Sequence, residues 1–274
     1  MKIRAHFGLM MLALIISLIH SPQVKASSDE WRFELTPYLW LTSADIDDAT
    51  VKGQNASAEL DFGDIWDMLD FAVFARFEAW KGNWGFIFDG YYVALGAEGE
   101  LVPRLGPVTF PTISTEVDFR QTNMDFALSY RFSMPSENRK PMGWIDPIVG
   151  VRIAHLDLEM DISKAPGPVI GALGSTIDGD QWYVEPFVGG RIGLKLTEAL
   201  SFAVRGDIGG FDIGEASHLA WNLVAGFDYK PWQATSIKLG YRIYDINWDD
   251  GDESDEFGLN GQLHGPVLGV TFHF

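Results

Sequence analysis

"GPVLGVTFHF", residues 265–274, ends the chain on an apolar face of Pro266, Leu268, Val270, Phe272 and Phe274 that alternates with Val267, Gly269, Thr271 and His273. Successive side chains of a strand point to opposite sides, so this is an extended segment with one greasy face. It sits oddly in a chain of 274 residues with a formal net charge of -18. A soluble domain would bury such a strand in a core, whereas a membrane barrel would turn it toward lipid. The rest of the sequence weighs between the two.

The opening "MKIRAHFGLMMLALIISLIHSPQVKA" carries Lys2 and Arg4, then an apolar stretch from Phe7 to Ile19, then the small-residue site Val24-Lys25-Ala26. This is the layout of a secretory signal peptide cleaved after Ala26. Its apolar core is shorter than the roughly 20 residues a spanning helix needs. Residues 1–26 are therefore expected to be a signal peptide and residues 27–274 a single domain. Cleavage removes three basic residues and no acidic ones, leaving 17 basic against 38 acidic and a net charge of -21. Such a surface repels nucleic acid. The chain has no cysteine, so it has no disulfide framework and no thiol nucleophile. No later segment holds about twenty predominantly apolar residues, so entry into a membrane would have to be by strands closed into a barrel.

Period-two alternation runs through the whole mature chain. "WRFELTPYLW" sets Trp31, Phe33, Leu35 and Leu39 against Arg32, Glu34, Thr36 and Tyr38. "FAVFARFEAW" sets Phe71, Val73, Ala75 and Phe77 against Arg76 and Glu78, and "WGFIFDGYY" sets Trp84, Phe86, Phe88 and Tyr92 against Asp89. Later segments place Asp125 and Arg131, Asp146 and Arg152, and Glu185, Arg191 and Lys195 opposite apolar faces. Arg205 with Asp207, Asp228, and Lys238 with Arg242 continue the series, and with the terminal stretch there are ten strands. Links alternate as well: 81–83, 197–199 and 230–233 are tight, with 133–143 a longer link on the same side. The other side carries 43–68, 97–114, 161–180, 209–217 and 249–259. Short turns on one side and long links on the other is the plan of bacterial outer-membrane barrels.

The chain thus reads as all-β, a transmembrane antiparallel up-and-down β-barrel of about ten strands, or twelve if residues 43–62 add a hairpin. A soluble β-sandwich also alternates at period two. Aromatic residues repeated at strand ends on the apolar face favour the barrel, because that is where a bilayer interface would want them. Within the first long link, "FGDIWDMLD", residues 62–70, breaks the alternation, and Ile65, Met68 and Leu69 have the spacing of a short helix placed at the barrel mouth.

The signal peptide, the alternation and the terminal "LGVTFHF" together resemble the bacterial outer-membrane β-barrel proteins of the small OmpA-like and OmpW-like size range. The resemblance covers essentially the whole mature chain. It implies insertion by the barrel-assembly machinery, with Leu268, Val270, Phe272 and Phe274 as the assembly signal, and outer-membrane lipid as surroundings. "LTPYLWL" and "FGDIWDMLDFAVFARFEAWKGNWG" look like stretches of one subgroup of that class, and no activity comes with the likeness.

If the polar face lines the interior, nine basic groups (Arg32, Arg76, Arg131, Arg152, Arg191, Lys195, Arg205, Lys238, Arg242) meet eight acidic ones (Glu34, Glu78, Asp89, Asp125, Asp146, Glu185, Asp207, Asp228). Charges in such a confined, low-dielectric space must pair. The expectation is a lumen largely closed by ion pairs such as Arg76 with Glu78 and a structural or interaction role. A narrow solute channel is the alternative, and a lipid-modifying or proteolytic enzyme a third reading. The acidic run "DDGDESDE" reads first as a solvated acidic loop, with Asp249, Asp250, Asp252 and Asp255 as oxygen ligands for calcium the lesser alternative, because the spacing is not that of an EF-hand. His155 with Asp157 could orient a base. Ser217 and His218 are adjacent in the chain and so point apart.

Overall fold

The computed structural model describes residues 30–51, 54–101, 104–105, 108–109, 113–134, 142–163, 176–211, 219–250 and 257–274. Residues 1–26, read from the sequence as a signal peptide, lie outside them. Strand β1 (Trp31–Trp40) is followed by a hairpin of β2 (Ser43–Val51) and β3 (Gln54–Leu60), then helix α1 (Phe62–Met68). Next come β4 (Leu69–Lys81), β5 (Trp84–Leu101), β6 (Ile113–Tyr130), β7 (Gly143–Ser163) and β8 (Thr176–Lys195). The chain finishes with β9 (Leu200–Gly210), β10 (Leu219–Tyr229), β11 (Thr235–Asp250) and β12 (Phe257–His273). Among the described residues, β1 and β4 through β12 make a ten-membered antiparallel ring, each strand beside its chain neighbour and β12 returning to β1.

The alternation sets which way each wall faces. Leu128, Val149, Val184, Ile192, Leu239 and Leu268 point outward and are about half exposed, whereas Asp146, Arg152 and Glu185 point inward with no exposed surface. Apolar outside with ions inside reverses the arrangement of a soluble sandwich and suits only a hydrocarbon solvent. Aromatic contacts mark the rims. Trp84, Tyr130 and Phe132 pack in sequence at 5.0 Å near the short turns, and Trp182 stacks on His155 at 4.2 Å toward the long links. Gly82, at φ +57°, supplies the left-handed residue that the tight β4–β5 turn requires.

The terminal strand closes the ring in two stages. Its last part pairs with β1, from Glu34↔His273 to Trp40↔Val267, and its first part pairs with β2, from Ser43↔His264 to Val51↔Phe257. β1 and β2 are therefore one wall strand interrupted at Leu41 and Thr42. Gly265 sits opposite the break, where any Cβ would run into the Leu41 carbonyl. Phe33 and Phe274 exchange backbone hydrogen bonds at 3.2 and 2.9 Å, so the final residue is a rung of the ladder. Leu268 and Phe274 are exposed as the alternation requires, but Phe272 shares their parity and is nonetheless covered.

The first long link is not a plain loop. Residues 43–60 do form a hairpin, but β3 pairs with β2 alone, so the ring stays at ten strands rather than twelve. Helix α1 starts on a capping box, in which the Asp61 side chain accepts from the Asp64 N–H and the Asp64 side chain accepts from the Asp61 N–H. It ends at Met68, because Leu69 already begins β4. One wall contact is short. The β1–β4 ladder runs from Trp31↔Lys81 only to Pro37↔Ala75, where Pro37 has no N–H to continue it.

Candidate functional site: the barrel lumen

Inward side chains stack in layers along the barrel axis. Nearest the short turns, Arg131 forks onto Asp146 at 2.9 and 2.8 Å, and Arg191 forks onto Glu78 at 2.7 and 2.9 Å while its Nε also reaches Asp146 at 3.0 Å. Trp80 donates its indole N–H to Glu78 at 3.0 Å and lies 4.1 Å beneath the Arg131 guanidinium. Two cations and two carboxylates make this cluster neutral. Bidentate geometry of this kind gives strong, directional arginine pairs.

A second neutral cluster fills the barrel middle. Arg152, with no exposed surface, donates to Asp125 at 2.8 and 3.1 Å, to Glu185 at 2.8 Å and to Asp207 at 2.9 Å. Arg76 meets Asp89 at 2.8 Å, and Arg205 lies 3.3 Å from Asp207 and 3.6 Å from Asp89. Arg242 donates to the Asn222 side-chain oxygen at 3.0 Å, and Tyr38 donates its hydroxyl to Asp89 at 2.9 Å. Four guanidiniums thus face four carboxylates. Pairing is uneven: Arg152 is hydrogen-bonded on all sides, whereas the buried Arg205 guanidinium makes no hydrogen bond and meets its carboxylates only at ion-pair distance.

Above the ions the lumen turns aromatic. Tyr38, Trp40, Phe74, Tyr91, Tyr183 and Tyr244 form a buried shelf together with Ala154, Leu156, Ala220 and Ile246. Arg242 lies 4.6 Å below the Trp40 ring, and Arg152 lies 4.9 Å from Tyr244, so cation–π contacts join the two layers. Over the shelf is a cavity of about 610 Å³. Its walls are almost wholly apolar, from Val93, Phe119 and Leu263 across the lumen to Phe62, Ile65 and Met68 of helix α1.

The sequence-derived pairs do not all meet. Arg76 and Glu78 lie two apart on one strand, about 6.6–6.8 Å along it, and bind elsewhere, Arg76 to Asp89 and Glu78 to Arg191. Lys238 reaches Asp228 at 3.8 Å, Arg32 donates to the Gly82 carbonyl at 3.3 Å, and Lys195 is exposed at the short-turn rim. His155 contacts Asp180 at 3.1 Å rather than Asp157, which accepts from Arg120 at 2.9 Å. Asp249 and Asp250 end β11, but their side chains, like Asp252 and Asp255, lie outside the described residues, as do Ser217 and His218. Among the described residues no three His, Asp or Glu side chains gather as a metal site.

One arrangement escaped the sequence altogether. Across the closing strands, His273 Nε2 lies 3.2 Å from Ser236 Oγ, and its Nδ1 lies 3.6 Å from Glu34. The order of groups is that of a serine–histidine–carboxylate relay, but the carboxylate stands at ion-pair rather than hydrogen-bond distance. Ser236 has no exposed surface, so no carbonyl can reach its hydroxyl, and the group acts as a brace between β1, β11 and β12. The apolar shelf was also missed. Its signal lies in "FAVF", residues 71–74, and "YYVAL", residues 91–95, where both strand faces are apolar.

No protein-family model and no curated protein matches the sequence. Among solved structures, the outer membrane protease OmpT of Escherichia coli aligns at 7% identity over 92% of this chain and 99% of its own, with a TM-score of 0.49. The translocator domain of autotransporter NalP from Neisseria meningitidis aligns at 11% identity over 99% and 96%, with a TM-score of 0.46. Ail, the attachment invasion locus protein of Yersinia pestis, aligns at 9% over 89% and 99%, with a TM-score of 0.33. These are likenesses to other barrels, and no activity passes from them to this chain.

Proposed function

We propose that this chain is an outer-membrane barrel that does not conduct, and that its role is structural or interaction-based, exercised from the half of the barrel nearer the long links. The observation that carries this reading is the pair of neutral ion clusters lying one above the other across the lumen. An ion crossing that section would have to displace guanidinium–carboxylate pairs that fill the space side chains can fill in so narrow a barrel. Neither sign is in excess in these clusters, as a selective filter would require. The apolar belt, the aromatic rims and the leader-like first 26 residues support outer-membrane placement, and the reading takes Phe274 and its alternate apolar partners as the signal to the assembly machinery.

Conductance tests this directly. Purified protein refolded into a planar bilayer should give no discrete steps, and reproducible unitary steps from the wild-type chain would overturn the closed reading. Recovery of the processed chain from periplasmic extract without detergent would overturn the membrane placement.

A further inference from the structure

The cavity above the aromatic shelf has walls of two kinds. Trp40, Phe74 and Leu156 reach it from the lumen side of their strands, whereas Leu39 and Phe71 reach it from the lipid side, where they are 53% and 41% exposed. A chamber confined within a closed wall could not be lined by both. The wall is incomplete at this place, because the β1–β4 ladder ends at Pro37↔Ala75. Beyond that rung β1 pairs only with β12, β4 pairs only with β5, and hairpin β2–β3 and helix α1 come between them in the chain. The cavity therefore passes through the wall at a seam flanked by Leu39 and Phe71.

We propose that this chamber takes a hydrocarbon chain of a bilayer lipid, admitted sideways through the β1–β4 seam. Three observations select that occupant. The lining is apolar, and its one charged residue is the carboxylate Asp70, which is exposed. A fatty-acid carboxylate or other anion would thus find no cation, and the exposed Asp61, Asp64 and Asp67 beside the seam would repel it, so the lipid is one whose headgroup carries no net negative charge and stays outside. The floor is sealed by the shelf and the ion clusters, which makes the chamber a blind pocket. Its volume of about 610 Å³ falls within the roughly 300–1,000 Å³ of small-molecule sites, and an apolar cavity takes apolar guests in preference to water. Helix α1 forms one side of the mouth. Phe62, Ile65, Trp66 and Met68 line the cavity, and no residue of the helix is fully buried.

The test uses the full mature barrel in detergent-free nanodiscs of phosphatidylcholine doped with a phosphatidylcholine bearing a diazirine near the end of one acyl chain. After irradiation, labelled peptides are mapped by mass spectrometry. Label is expected on lumen-facing Val93, Phe119 and Leu263 as well as on belt residues such as Leu128 and Val149. Ala72→Trp, which fills the chamber beside the seam, should cut lumen labelling at least fivefold and leave belt labelling unchanged. Ile192→Trp, on the belt across the ring from the seam, should change neither. A heat-dependent gel shift confirms that each variant is folded; if Ala72→Trp does not fold, Ala58→Trp in β3 takes its place. Label confined to the belt of the wild-type barrel overturns the proposal, as does lumen labelling that the folded chamber-filling variant leaves intact. A conducting barrel with a labelled chamber would overturn the closed-lumen reading and leave this one standing.

Discussion

The two halves of the lumen are built from the same strands and solve opposite problems. Toward the short turns the interior is ionic, full and balanced, with Trp80 and Trp144 flanking Arg131 at 4.1 and 5.2 Å. Toward the long links it is aromatic, then aliphatic around the chamber. The difference bears on where a barrel wall can be opened. In the ionic half a gap would expose guanidiniums to hydrocarbon at a cost of several kcal/mol per ion. In the apolar half, interior and exterior are chemically alike, so a gap separates nothing that must be kept apart. The seam beyond Pro37 falls in the apolar half.

The largest effect expected from breaking this contrast is at Arg152. Arg152→Met leaves Asp125, Glu185 and Asp207 without their shared cation, and loss of one partner in a buried network costs about 3–5 kcal/mol. Urea unfolding in micelles followed by tryptophan emission should register it, and a loss below about 1 kcal/mol would mean that ionic pairing does not hold this half together. Next in size is Gly193→Ala. A methyl group there would collide with the Trp144 ring, and overpacking a filled region costs about 1–3 kcal/mol. The smallest effect is expected from Ala58→Leu, which adds bulk to the chamber wall. Its unfolding midpoint should stay within about 0.5 kcal/mol of wild type, and a penalty like that at Gly193 would show the upper half to be as full as the lower.

Much of the wall was legible in the sequence. Alternation in "MDFALSYRF" or "SIKLGYRI" sets direction as well as strand, because Asp125 and Arg242 had to oppose their apolar neighbours. Partner choice was not legible. Arg191 and Glu78 are 113 residues apart and meet only because the ring curves them across a common axis, a distance no local pattern encodes. The chamber was hidden for a different reason. Phe74 and Tyr91 occupy inward positions but are apolar, so a search for polar inner faces passes over them. The helix was readable from Ile65, Met68 and Leu69, and its placement beside an unfinished ladder was not.

The closing rung has a kinetic corollary. Thr36 and Thr271 share a hydrogen bond at 2.8 Å across a sequence separation of 235 residues, so the ring is sealed by a very long-range encounter. Folding rates fall as such separations grow. Throughout that wait the unsealed sheet carries two raw edges, each able to recruit a foreign strand. Only when Phe33 and Phe274 exchange their backbone hydrogen bonds are both margins satisfied at once.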